Sequence, residues 1–291
     1  MSVRDLLISL LIMGIWGLNF PIAKMAIGEI PPLFLMALRF ALVAIILVPF
    51  VHLPKGKLKG IFLISITFAT VHFACLFTGL KEVDSSTASV ILQFQVPISA
   101  ILAAVIFKDR MHWPRYIGVI LGIGGIAIIA KEPRFAGNFF SVGLILISAC
   151  FWAISNVQLK SMKDLPILSL NGWVALFSVP QLLILSYFLE QNQLESLQSA
   201  SLKGYFAIFY MAIVSTILAY SLWYQILRKY DISRTIPFTL LIPIYGVVFS
   251  VFLLNEKPTS QMLLGSLVTM GGVAIILARR PKLLVKTPPQ S

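Results

Sequence analysis

Apolar runs about twenty residues long follow one another from Leu6 to Ala278, separated by short polar connections. A run of that length, coiled as a helix, crosses a hydrocarbon core of about 30 Å. Only 12% of the residues are charged and 58% are hydrophobic, against about 25% charged in a soluble domain. The pattern predicts an all-α integral membrane protein with ten transmembrane helices. Their expected places are Leu6–Ala26, Pro32–Val51, Leu58–Leu80, Ser85–Phe107, Trp113–Ala130, Phe139–Leu159, Ile167–Leu189, Leu202–Ile226, Thr235–Leu254 and Met262–Ala278. Recurrence along the whole chain excludes a lone signal peptide. The longest connection, QNQLESLQSASLK, is too short for a soluble domain, so function must lie within the bilayer.

The net charge of +12 reads as a topology signal once its distribution is followed. When the connections are assigned alternately to two sides, sixteen basic residues fall on the side of the N-terminus. Six fall on the other, and Arg39 lies within a span. Retention of basic residues inside predicts that both termini are cytoplasmic. The expected partners are therefore the lipid bilayer and a small-molecule substrate, with no nucleic acid. Cys75 and Cys150 both fall within spans, which argues against a secreted disulfide framework.

The chain also repeats itself. DRMHWPRYIGVILGIGGIAII, residues 109 to 129, returns as EKPTSQMLLGSLVTMGGVAII, residues 256 to 276. Gly118 with Gly265, Gly124 with Gly271, Gly125 with Gly272, and Asp84 with Asp231 all keep a separation of 147, while Pro97 and Pro243 match one residue out of step. WGLNFPIAK, from Trp16 to Lys24, has its counterpart in WAISNVQLK, from Trp152 to Lys160. Each unit holds five spans, and five is odd, so a second copy enters from the opposite side. The expectation is two inverted five-helix repeats, residues 1–134 and 135–280, followed by a cytoplasmic tail 281–291. Two such bundles have two nearly equivalent ways to pack around a cavity near the midplane, which is the basis of alternating access.

At these motifs the chain resembles the drug/metabolite transporter superfamily, and within it the EamA type. The resemblance rests on WGLNF in the first span, PPLFLMALRF opening the second and FKDRMHWPRYIG between the fourth and fifth. ILAYSLWYQILRKYDISR in the eighth span and IPIYGVVFSVFLLNEKPTSQMLLG in the ninth and tenth complete it. It implies ten helices around a central cavity, a place in the bacterial inner (plasma) membrane, and transport of small metabolites, often amino acid export. It implies no cofactor.

No acid lies deep in any span. The smaller four-span relatives in the superfamily depend on a buried glutamate in the first span, where this chain has Asn19. Without a buried counterion a lipophilic cation would sit unpaired, which argues against a cationic-drug pump. Trp16 and Asn19 share one face of their helix and Trp152 and Asn156 share another. Each pair offers an amide and an indole, which suit an amino-acid-like solute; interhelical packing is the alternative. Gln93 and Gln95 point about 200° apart, so only one faces a cavity, and Gln93 is the candidate.

His72 and Arg39 are the ionisable groups within the spans. For His72 a satisfied structural hydrogen bond competes with a functional role. For Arg39 the first reading is anchoring, with the side chain snorkelling outward, and the second is pairing with a substrate carboxylate. Thr216, Tyr220 and Tyr224 form one stripe, from which Tyr220 joins the candidates. The expected substrate-binding set is thus Trp16, Asn19, Arg39, His72, Gln93, Trp152, Asn156 and Tyr220. Pro21 is expected to kink its helix beside the cavity, and Gly118 and Gly122 with Gly265 and Thr269 to pack the fifth and tenth spans, homodimerisation being the lesser option beside a monomer.

The leading functional reading is a secondary transporter that exports a small metabolite, such as a neutral or aromatic amino acid. The alternative is an uptake carrier or exchanger for a nucleoside or organic acid. A membrane-embedded enzyme is disfavoured, because no span shows paired carboxylates, a Ser/His/Asp set or metal-ligand spacing.

Overall fold

The computed structural model describes residues 1–106, 113–131, 138–160, 162, 164–230 and 235–278. The turn carrying Asp109, the segment carrying Asp231 and the tail 281–291 lie outside these, as does the side chain of Tyr224. Among the described residues the chain is helical throughout, with no strand.

The helical runs are α1 Val3–Ile27, α2 Pro32–Leu47, α3 Leu58–Glu82, α4 85–106, α5 Trp113–Ala130, α6 Phe139–Lys160, α7 Ile167–Leu189, α8 202–229, α9 236–254 and α10 Ser260–Ala278. Seven runs among the described residues combine the length and mean hydropathy of a membrane span, namely α1, α2 with the tighter turn that extends it to Phe50, α3, α6, α7, α8 and α10. The apolar parts of α5 and α9 are shorter, Tyr116–Ala130 and Phe238–Leu254. The run α4 is interrupted by a tighter turn at Leu92–Phe94 and carries Ser85, Ser86, Ser89, Gln93 and Gln95. Large exposed apolar side chains, such as Phe50, Phe140, Tyr187 and Phe252, occur on several helices, the surface expected of a protein solvated by lipid.

Local chemistry sets the ends. Ser2 caps α1, its hydroxyl oxygen accepting from the Asp5 amide at 3.2 Å. Pro32 occupies the first turn of α2, where its missing donor is not needed. Asn255 follows α9 in the left-handed conformation, φ 52°. The helix α1 runs through Pro21 without a break, because neighbouring protein can satisfy the backbone that proline frees.

The helices alternate in direction. At one end of the bundle meet the end of α1, the start of α2, the end of α3, the start of α4, the end of α7, the start of α8 and the end of α9. Acids hold this end together. Glu190 accepts from the amides of Leu33 and Phe34, at 2.7 and 3.0 Å, at the N-terminus of α2. Glu256 does the same for Ser85 and Ser86, at 2.8 and 3.0 Å, at the N-terminus of α4. Glu29 accepts from the Ser201 amide at 2.7 Å, just before α8. Each carboxylate sits where unpaired amides and the helix dipole favour negative charge. Lys24 closes the end of α3, donating to the carbonyls of Leu80, Lys81 and Val83. At the opposite end Asp5 accepts from Lys229 and from the Tyr230 hydroxyl, and Lys57 pairs with Asp164 at 3.2 Å.

The pairing of helices has a regular pattern. The helix α1 packs on α8 and α9, and α6 packs on α3 and α4, while α2 meets α7, α4 meets α9 and α5 meets α10. Exchanging α1–α5 with α6–α10 leaves that pattern unchanged. At the α5–α10 seam, a Cβ on Gly118 would lie 2.6 Å from the Gly272 carbonyl oxygen, and one on Gly272 would lie 2.5 Å from that of Gly118. Gly125 and Gly265 face each other in the same way, at 2.5 and 2.7 Å. Only glycine allows backbones to approach so closely.

Two helices, α3 and α8, widen into π-helical turns, over Ser65–His72 and Tyr210–Leu218. The two stretches nearly coincide when shifted by the 147-residue offset.

Candidate functional site

Several of the candidate residues gather beside the widened turns. His72 closes the π-helical stretch of α3. Its Nδ1 is within hydrogen-bond distance of Ser148 on α6, 3.0 Å from the carbonyl oxygen and 2.7 Å from Oγ. Its ring stacks on Phe68 at 5.9 Å and meets the edges of Phe73 at 4.6 Å and Trp152 at 4.8 Å. Phe68 then reaches Trp152 at 5.3 Å and Tyr220 at 6.3 Å. Tyr220 lies 5.1 Å from Trp16, which in turn meets Trp223 at 5.8 Å. A continuous aromatic set thus joins α1, α3, α6 and α8, drawn from both halves of the sequence.

Trp16 is fixed by its indole N–H, which donates to the Ser215 carbonyl at 3.2 Å. That carbonyl belongs to the widened stretch of α8, where the regular i to i−4 pattern is relaxed and backbone acceptors turn outward. The same relaxation positions Thr216. Its hydroxyl donates to the Met211 carbonyl, five residues back, at 2.7 Å. Its oxygen then faces Arg39 and accepts from Nε at 3.1 Å and from Nη2 at 2.8 Å.

Arg39 does not snorkel. It is 2% exposed, because Thr216 and two aromatic rings offer a nearer environment than the helix end. Its guanidinium lies over Phe73 at 4.7 Å and Phe40 at 5.6 Å, distances at which an aromatic face attracts a cation. Thr216→Val keeps the shape and removes the acceptor. The expected result is a loss of about 2 kcal/mol or more in stability, since a buried charge forfeits the partner of two donors. Thermal unfolding in detergent checks it, and an unchanged midpoint would contradict the role given to Thr216.

The remaining candidates stand further out. Asn19, one turn from Trp16, has a buried Oδ1 with no partner among the described residues. Gln93 is buried, and its amide donates to the Thr239 carbonyl at 3.3 Å, linking the tight turns of α4 and α9; its Oε1 has no partner among the described residues. Gln95 is half-buried. Asn156 is exposed, unlike Asn19, its counterpart in the repeated motif. So Trp16, Arg39, His72, Trp152 and Tyr220 come together, Asn19 adjoins them, and Gln93 and Asn156 stand apart.

Phe68, Phe73, Ser148 and Trp223 belong to the same cluster and were not among the expected residues. One signal was available: Phe68 and His72 are four apart and share a helix face. Among the described residues, external cavities lie at the ends of the bundle. One of about 480 Å³ is lined by Glu29, Thr78, Lys81 and Glu190, and one of about 190 Å³ by Arg4, Asp5, Gln225 and Lys229.

Comparison with known proteins agrees with this architecture. The profile of the EamA-like transporter family matches twice, over residues 4–131 and 139–278. A probable amino-acid metabolite efflux pump of Escherichia coli is 31% identical over 284 residues, covering 94% of this chain and 95% of that protein. A protein of the same description from Salmonella typhimurium is 32% identical with the same coverage. Among solved structures, one crystal structure aligns with a TM-score of 0.63 at 16% identity, over 94% of this chain and 96% of its own, a likeness of fold. With both matched segments covering nearly all the described helices, the chain belongs to the EamA-like transporter family of multi-pass membrane proteins that move small molecules.

Proposed function

We propose that the protein is a secondary transporter that exports small metabolites, amino acids among them, by alternating access. The observation that carries this reading is the aromatic cluster around Arg39 and His72, built jointly by α1, α3, α6 and α8. A site shared between two units is reshaped whenever the units rock against each other, so it can be offered to either side of the membrane. Trp16, Asn19, Arg39, His72, Trp152 and Tyr220 are its proposed substrate-binding residues, while Gln93 and Asn156 stand apart from it. The description of the Escherichia coli and Salmonella typhimurium relatives as probable amino-acid metabolite efflux pumps favours the direction and the solute class.

The proposed frame is ten helices in two inverted units, residues 1–134 and 135–280, with a tail 281–291. Both termini are cytoplasmic, in a bacterial inner membrane. The reciprocal approach of Gly118 to Gly272 and of Gly125 to Gly265 supports it. The 147-residue offset carries the first contact onto the second, as a two-fold axis lying in the membrane plane requires.

Counterflow tests the mechanism. Liposomes preloaded with an unlabelled amino acid are expected to accumulate the labelled form transiently, which a carrier produces and a pore does not. Single cysteines at the starts of α1 and α6, in a background without Cys75 and Cys150, are expected to label from opposite faces. Labelling of both from one face would rule out the inverted frame.

A further inference from the structure

The treatment of charge elsewhere in the protein makes Arg39 an exception. Lys24 commits its ammonium to three carbonyls, and Lys229 pairs with Asp5. Arg39 is 2% exposed, yet among the described residues no carboxylate lies within ion-pair distance of it. Its Nε and Nη2 both use the single oxygen of Thr216, while Nη1 is buried with no partner among the described residues. Phe73 and Phe40 attract the cation but neutralise nothing. A guanidinium left so in a bilayer is costly unless an anion completes it.

The surroundings restrict what that anion is attached to. Phe73 touches the ring of His72, which leads through Trp152 and Phe68 to Tyr220 and Trp16. The side chains around the guanidinium are therefore aromatic, and they suit a flat or apolar body. A phosphate or a dianion would bring more charge than one guanidinium balances. A monocarboxylate brings one, with a planar oxygen pair that matches the guanidinium edge.

We propose that Arg39 Nη1 binds the carboxylate of the transported solute, and that the substrates are monocarboxylates with an apolar or aromatic body, neutral amino acids included. This rests on reading the central cluster as the substrate site. Asn19 Oδ1, one turn along α1 from Trp16, is a buried acceptor without a donor among the described residues, and an ammonium group is a donor of the kind it lacks.

The test is binding, followed by the tryptophan fluorescence of the purified full chain, to which Trp16 and Trp152 report directly. Phenylalanine, leucine and hydrocinnamate are expected to bind, and phenethylamine and hydrocinnamamide to bind about tenfold more weakly or not at all, the difference expected for a charge-assisted pair. Arg39→Lys, which keeps the charge but loses the planar fork, is expected to weaken the carboxylates about tenfold and leave the amide unchanged. Equal affinity for acid, amide and amine, or no binding of any acid at millimolar concentration, overturns the proposal without any variant having to fold. Counterflow of a carboxylate that is unaffected by Arg39→Lys overturns it too and leaves the transport reading standing. Arg39-dependent binding without counterflow supports it and defeats the transport reading instead.

Discussion

Replacement of Gly125 with leucine is expected to leave no folded protein. A Cβ at that position would sit 2.5 Å from the Gly265 carbonyl oxygen and 2.6 Å from the Thr269 amide nitrogen. Both obstacles are backbone and cannot rotate away as a side chain would. The helices α5 and α10 would have to separate along their seam, losing the packing that holds membrane helices together where lipid supplies no hydrophobic drive. Overpacking of a yielding core costs about 1–3 kcal/mol; with rigid backbone on the other side the expected loss is about 3 kcal/mol or more. The control is the adjacent position. A Cβ on Gly124 would meet nothing within 4 Å, so Gly124→Ala is expected to be neutral or to stabilise by up to about 1 kcal/mol through helix propensity. Size-exclusion profiles and thermal midpoints in detergent separate the two. A monodisperse Gly125→Leu protein with an unchanged midpoint would defeat the close-approach account of the seam.

The second large effect is expected at Glu256. Its carboxylate accepts three hydrogen bonds, from the Ser85 and Ser86 amides and from the Ser85 hydroxyl at 2.7 Å. Asn255, in the left-handed conformation, turns the chain at the end of α9 so that this side chain meets the start of α4. Glu256→Ala leaves two amides at a helix N-terminus without their acceptor and removes the charge that the dipole favours. The expected cost is about 3 kcal/mol, summed over charge-assisted bonds that are not independent. Glu256→Gln retains two oxygen lone pairs and is expected to lose about half as much. Glu195, exposed on the short helix Gln193–Ser199, provides the comparison, since Glu195→Gln is expected to change stability by no more than about 0.5 kcal/mol. Equal midpoints for Glu256→Ala and Glu195→Gln would show that the contact to α4 carries no weight.

These two positions differ in how far they could be read in advance. In α5 and α10 the packing face was legible in part: Gly118 with Gly122 and Gly265 with Thr269 are small residues one helical turn apart, while Gly125 and Gly272 stood out only as a pair repeated after 147 residues. Glu256 was legible only as an acid at the end of a span. Its partners are backbone amides about 170 residues away, and an amide carries no sequence signal. The same holds for Glu190 and Glu29. Within the candidate site, Trp16, His72, Trp152 and Tyr220 were singled out as polar or aromatic groups in an apolar setting. Phe68 and Phe73 were not, since they are two of 21 phenylalanines and periodicity does not tell one apolar neighbour from another. The expectation that Arg39 snorkels failed because it considered one helix alone, whereas Thr216 comes from α8, 177 residues later. Asn156 matched Asn19 in the motif but is exposed, since a shared motif does not ensure a shared neighbour.

The order of residues was enough to determine the solvent of this protein, its helical class, its family resemblance and the duplication of its parts. Those properties depend on composition and on spacing along one chain, and every helix carries them by itself. The tertiary structure alone decided which faces meet, where α3 and α8 widen, and which buried groups lack a partner. Such features arise where two helices far apart in sequence compete for the same space and the same hydrogen bonds, and neither helix specifies the outcome alone.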